Sequence, residues 1–191
     1  GYSSFRYELT PFLHFGNQPN VIAVRVDNSA QPNSRWYTGS GIYRNVWLVA
    51  TSKVHVAHWG TFVTTPEVSE KAATLKIEIK VDNQLAKSGK IKVATEIVSP
   101  EGNKLAVAES VASLMDTVML FEQQLNIENP QLWSTDTPQL YRAITKIFES
   151  GKQVDQFETP FGIRYFRFDP SNGFFLNGKP LKIFGINNHH D

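Results

Sequence analysis

From Leu75 to Val81 the chain alternates without a break: Leu75, Ile77, Ile79 and Val81 are apolar, and Lys76, Glu78 and Lys80 between them are charged. Successive side chains of a strand point to opposite faces, so this stretch predicts a strand with one buried and one wet face, as in an antiparallel sandwich. Further strands are expected at 54–59, 61–65, 73–82, 89–99, 104–113, 117–127 and 139–149. No stretch carries a convincing 3.6-residue period, so the fold class is all-β. About seven strands over roughly 100 residues predict an immunoglobulin-like β-sandwich. The chain has no cysteine, so the architecture transfers without the disulfide of antibody domains. Asn129-Pro130 interrupts the last long hairpin, and Trp133 beyond it is expected to plug the core.

The flanks read differently. Residues 1–51 look like the tail of another β domain, with strand propensity from Phe5 up to Pro11, a turn cluster at Gly16–Asn20, and strands at Val21–Asn28 and Val46–Val49. Three or four strands make a poor free-standing domain, and the first residues read as mid-domain sequence. At the other end, Asp169-Pro-Ser-Asn-Gly173 and Asn177-Gly178 are turns, followed by an apolar run from Leu181 to Ile186 and then five polar residues. A run so short and apolar suits a strand buried on both faces, as in a parallel sheet. On it, Ile183, Gly185, Asn187, His189 and Asp191 share one side. Polar groups at the C-terminal end of such a strand are where α/β barrels keep their chemistry, yet a barrel takes roughly 250 residues.

Composition narrows the partners. The formal net charge is +1, which supplies no electrostatic reason to bind nucleic acid or an anionic membrane surface. No apolar run is long enough for a transmembrane helix. The absence of cysteine excludes thiolate metal sites and leaves the compartment open between periplasmic or secreted and cytoplasmic. Aromatic residues make up 12% of the chain, which suits either β-sandwich cores or surfaces on which sugar rings stack. Unpaired strand edges in the flanking sheets predict self-association, so a homo-oligomer is expected.

Candidate chemistry is sparse. His189 and His190 are adjacent and point to opposite faces of a strand, and His189 with Asp191 makes only two ligands, so no metal is assigned. His189, Asn187 and Asp191 read as a polar, substrate-facing cluster; a solvated terminus is the alternative. In Asn33-Ser-Arg-Trp-Tyr-Thr-Gly-Ser-Gly41 the glycines permit a tight backbone path. Arg35 and Trp36 there suit a sugar hydroxyl and a sugar face, and they equally suit a packed interdomain loop. Glycosidic hydrolysis with retention needs two carboxyl groups roughly 5 Å apart. Most acids lie beside lysines in sandwich strands, as Glu78 does between Lys76 and Lys80, so no catalytic pair is assembled. His14, His55 and His58 read as surface or satisfied histidines, and no cofactor motif is present.

Three stretches together resemble glycoside hydrolase family 2, which contains the β-galactosidases, β-glucuronidases and β-mannosidases. Val21-Ile-Ala-Val-Arg-Val-Asp-Asn28 and Trp36-Tyr-Thr-Gly-Ser-Gly-Ile-Tyr-Arg-Asn-Val-Trp-Leu48 resemble the end of its jelly-roll sugar-binding domain. Asn129-Pro-Gln-Leu-Trp-Ser-Thr-Asp-Thr-Pro-Gln-Leu-Tyr141 resembles a signature of its immunoglobulin-like domain. Phe161-Gly-Ile-Arg164 with Leu176-Asn-Gly-Lys-Pro-Leu181 resembles the lead into its catalytic barrel. The resemblance implies three parts: residues 1–51 from the jelly roll, residues 52–160 as the immunoglobulin-like sandwich, and residues 161–191 as a linker hairpin and the first strand of a (β/α)8 TIM barrel. It implies an accessory portion of a retaining, exo-acting enzyme, a β-galactosidase before a β-glucuronidase or β-mannosidase, acting on carbohydrate. A purely structural or carbohydrate-binding module is the reading from another class. The family's two glutamates belong beyond Asp191, so the chain alone is expected to be inactive. His189 and Asn187 match the histidine and asparagine of the family's barrel strand, and the loop at Arg35 and Trp36 matches one that reaches the active-site mouth. Ser34 falls where some β-galactosidases have a sodium-holding aspartate, so no sodium site is expected. The ending Asn188-His-His-Asp191 departs from the commonest Asn-Arg-His-Glu form.

Overall fold

Leu75, Ile77, Ile79 and Val81 have no exposed surface, and Lys76, Glu78 and Lys80 line the opposite, wetter face of their strand. The computed structural model describes residues 4–29, 40–85 and 89–187. The chain divides into two compact units, one of Gly1–Trp47 with Ile186–Asp191 and the other Leu48–Gly185. The second unit holds ten strands: β1 (Val54–Val68), β2 (Ala72–Asn83), β3 (Lys90–Val98), β4 (Lys104–Ser113), β5 (Val118–Glu128), β6 (Tyr141–Glu149), β7 (Lys152–Phe161), β8 (Phe166–Asp169), β9 (Gly173–Leu176) and β10 (Lys179–Pro180). No α-helix occurs among the described residues, so the chain is all-β as its sequence predicts.

Seven of these strands make the sandwich. One antiparallel sheet runs β1-β2-β5 and the other β4-β3-β6-β7. Their inner faces share one core, in which Leu75, Ile77 and Ile79 meet Ile91, Val93, Ile97 and Ile147. In constant-type immunoglobulin domains the fourth strand sits beside the fifth; here β4 pairs with β3 and belongs to the larger sheet. Gln123 crosses the interior, its Nε2 donating to the Val93 carbonyl at 3.0 Å and to Ser110 Oγ at 3.2 Å. The three bonded elements are β5, β3 and β4, so one amide ties the two sheets together.

The strand count agrees with expectation, but its membership does not. The two strands expected at 54–59 and 61–65 are one, β1, whose register to β2 shifts between Val56 and Thr61. That shift is a bulge built on Trp59, at φ 52°, and on buried Gly60. A Cβ on Gly60 would lie 2.6 Å from the Ala57 carbonyl oxygen and 2.8 Å from that of Lys80, so only glycine fits. The seventh strand is β7, which pairs with β6 across Ser150-Gly151. Both turn residues have positive φ, 50° and 82°, the geometry that lets a two-residue hairpin follow the sheet's twist.

Beyond β7, strands β8, β9 and β10 form a small antiparallel meander. Its second turn is Asn177-Gly178, again with two positive φ values, 50° and 78°, as an Asn-Gly hairpin requires. The expected strand at 181–186 is not formed: Ile183, Phe184 and Ile186 are exposed, and the segment joins no sheet. A strand buried on both faces takes neighbours on both edges, and the described residues supply none.

In the other unit, a single 3-10 turn, Thr10–Phe12, is the only regular element among the described residues. The strands expected over 5–11 and 21–28 are absent, as is the one at 46–49 where the chain passes to the second unit. Ile22 and Val24, which should share a buried face, are 67% and 60% exposed. Strand propensity becomes a strand only through pairing, and an unpaired segment has nothing to offset its ordering entropy. The Gly16–Asn20 turn does form, with Asn20 bonding both the amide and the carbonyl of His14 at 2.8 Å.

Candidate functional site

Of the five residues expected to face substrate, Asn187 lies among the described ones; it is exposed and groups with the Gly1–Trp47 unit. Arg35, Trp36, His189 and Asp191 lie outside the described residues. What the structure does describe is the support from which the chain runs toward Asn187.

That support begins at Trp133, which is not the expected core plug. It is half-buried and stands at the junction of sandwich and meander. Its amide donates to the Ile163 carbonyl at 2.8 Å, and the Arg164 guanidinium lies over its ring, 4.7 Å from the centroid. A Cβ on Gly162 would come within 3.0 Å of the Trp133 side chain, so the small residue at 162 lets the ring seat closely. Asn177 completes the junction. Its Nδ2 donates to the Trp133 carbonyl at 2.9 Å. Its Oδ1 accepts from the Tyr165 amide at 3.1 Å, and its own amide donates to the Tyr165 carbonyl at 2.9 Å. One turn residue thus grips both the sandwich loop and the strand leading into β8. The Asn-Gly turn is legible in the sequence; the long-range partners of its side chain carry no sequence signal.

The meander presents an aromatic face. Phe166, Phe168 and Phe174 have centroids 5.1 to 6.0 Å apart, and Phe168 is 72% exposed. The chain then passes along this sheet, the Leu181 amide donating to the Phe174 carbonyl at 2.9 Å. A second exposed aromatic pair, His58 and Trp59, stacks at 4.5 Å on the β1 bulge. His58 is a surface histidine as expected. His55 is buried, with Nδ1 2.8 Å from the Ser52 carbonyl and Nε2 3.7 Å from Asp82, so it is a satisfied one.

Several carboxylates of the sandwich pair with cations on its faces. Lys76 lies 3.6 Å from Glu78 and 3.5 Å from Glu122. Lys92 pairs with Glu109 at 2.9 Å, and Glu96 lies between Lys104 and Lys146. These are the solvated pairs that adjacent acids and lysines predict, each a weak contributor to stability. Elsewhere carboxylates cap turns: Asp169 accepts from the Asn172 and Ser171 amides at 2.8 and 3.0 Å, and those bonds hold its carboxyl below the usual range. Ser99 and Gln131 do the same for Glu101.

An antiparallel, seven-stranded sandwich with a meander latched to its end defines the chain as an immunoglobulin-like module. Its family is shown as well: the family model for Glycosyl hydrolases family 2 matches residues 54–164, and the chain belongs to that family. It is 46% identical over 192 aligned residues, its whole length, to the β-galactosidase BoGH2A of Bacteroides ovatus, and spans 22% of that protein. It is 35% identical to a β-glucuronidase of Formosa agariphila, covering 97% of the chain and 21% of the relative. A family 2 structure from Bacteroides cellulosilyticus superposes with a TM-score of 0.86 at 38% identity, over 93% of this chain and 24% of that one. The chain therefore spans between a fifth and a quarter of each of these three proteins.

Proposed function

We propose that residues 1–191 are the accessory, non-catalytic portion of a longer retaining exo-glycosidase that removes terminal β-galactosides. The observation that carries this is the 46% identity to a β-galactosidase along the whole chain, of which the chain makes up 22%. In this reading residues 1–51 close a jelly roll, 52–160 are the sandwich, and 161–191 lead into the first strand of the barrel. Asn187, His189 and Asp191 then stand at the C-terminal end of that strand, the face on which barrel enzymes work, with Arg35 and Trp36 reaching toward the sugar. The two carboxyl groups that retention requires come from the barrel, which leaves this portion inactive alone. A second reading, β-glucuronidase, is favoured by the 35% identical Formosa agariphila relative. Residues 1–191 on their own are proposed to self-associate into a homo-oligomer through the open strand edges of the flanking segments.

The test is release of nitrophenol from aryl β-galactoside and aryl β-glucuronide, by residues 1–191 alone and by the longer polypeptide that contains them. A silent short chain beside an active long one is expected, with the galactoside preferred. Preference for the glucuronide would select the second reading, and turnover by residues 1–191 alone would overturn the accessory role. Light scattering on residues 1–191 at high concentration reads that assembly, and a monomer there would remove the oligomer from the proposal.

A further inference from the structure

Resting on that reading, we propose that Asn177 is a positioning residue: it latches the meander to the sandwich and so sets where the chain leaves for the proposed substrate-facing residues that follow Gly185. Four features converge on this one side chain and its backbone. Its φ of 50° places it at the first central position of the β9–β10 turn, a place that Asn, Asp or Gly can fill. The turn alone therefore does not select asparagine. The Trp133 carbonyl takes a donor, Nδ2, and the Tyr165 amide takes an acceptor, Oδ1, and of Asn, Asp and Gly only Asn supplies both at neutral pH. The neighbouring Gly178 is equally confined, since a Cβ there would lie 3.0 Å from Tyr165 Oη. Trp133 is in turn seated against Gly162 and Arg164, and Ile163 between them is fully buried. Strand β10 begins two residues after Asn177, and the Leu181 amide bonds to β9 immediately beyond it. The latch thus fixes the base of the segment 181–185, from which Asn187 and His189 follow within a few residues. A displacement of about 1 Å at a positioned group can cost up to about 100-fold in rate.

The experiment uses Asn177→Gly and Asn177→Asp in the longer polypeptide, because both keep the turn. Glycine removes both side-chain bonds; aspartate keeps the acceptor for Tyr165 and loses the donor to Trp133. Hydrogen exchange is read at the bonded amides of Tyr165 and Leu181 and, as an internal reference, at Ile77 and Ile147. Exchange at Tyr165 and Leu181 is expected to quicken roughly tenfold or more in N177G and less in N177D, with the reference amides unchanged, and kcat to fall roughly tenfold for the glycoside that the wild type hydrolyses. Unchanged exchange at Leu181 would overturn the latch. So would normal kcat in a variant whose only change is a lower melting temperature, since that is a structural role alone. If N177G does not fold, N177D carries both readouts. A wild type that hydrolyses neither glycoside would sink the functional reading while exchange still decides the latch.

Discussion

The Asp155 carboxylate, on edge strand β7 of one sheet, accepts a hydrogen bond of 2.8 Å from the Val56 amide on edge strand β1 of the other. An edge strand directs half of its amides away from its only neighbour, and a buried amide without an acceptor is costly. Val56 is 5% exposed, so water is a poor substitute. Close by, Ser52 Oγ donates to the Val154 carbonyl at 2.7 Å. Side chains thus close a seam of the sandwich that the backbone ladders leave open.

Asp155→Ala is expected to lower stability by about 1–3 kcal/mol, the cost of an unsatisfied buried donor. Asp155→Asn, which retains an acceptor oxygen, is expected to cost less than half as much. Urea unfolding measures both, and the Val56 amide should exchange faster in the alanine variant. Equal stability of wild type and D155A would mean that the seam is held by packing.

Tyr141 begins β6, is buried, stacks on Phe161 at 5.7 Å, and accepts from the Gln131 amide at 2.7 Å. A tyrosine at this place, bonding backbone a few residues upstream, is the tyrosine corner of such sandwiches. Burial, and to a smaller degree the charge of Glu101, raises its phenol above the ordinary 10.0, the bond from Gln131 opposing them. A raised value means that the folded state holds the proton more tightly than the unfolded one. Stability from this source is intact below pH about 10 and is lost as pH rises from there through the raised value. Tyr141→Phe is expected to lose about 1 kcal/mol at neutral pH and to flatten that alkaline decline. Denaturation midpoints at pH 7 and above pH 10 check it; an undiminished decline in Y141F would assign it to other groups.

Gly60 faces backbone rather than flexible side chains, with carbonyl oxygens of Ala57 and Lys80 2.6 and 2.8 Å from where a Cβ would stand. Relief requires the two strands to part. Gly60→Ala is expected to cost about 1–3 kcal/mol, the usual range for forced overpacking, and to shift the fluorescence of exposed Trp59 as the bulge rearranges. An unaltered spectrum and midpoint would show that the bulge tolerates a methyl group.

The alternation at Leu75–Val81 is local information, and it marked both the strand and its buried face. The turns at Gly16–Asn20, Asp169–Gly173 and Asn177-Gly178 were legible for the same reason, since a few residues set their own dihedral angles. Glycine at 60 was visible, but it reads equally as a break between two strands or as a bulge within one; only the pairing with β2, where residues 57–60 stand opposite Lys80 alone, decides. Trp133 misled because an aromatic residue announces burial without saying where. Its seat depends on Gly162 and Arg164, far off in sequence, and on Asn177 farther still. Family membership was likewise legible, because runs such as Asn129–Tyr141 are made of consecutive residues.

By itself, then, the sequence determined an all-β chain, the buried face of β2, the local turns and the family. Tertiary structure decided which strands exist at all, that β4 joins β3, that β7 completes the second sheet, and that the stretches at 21–28 and 181–186 join no sheet. The physical reason is that side-chain alternation is carried along the chain, whereas a strand's hydrogen bonds are made across it. A segment can display every preference for a strand and still be none until another edge comes to meet it.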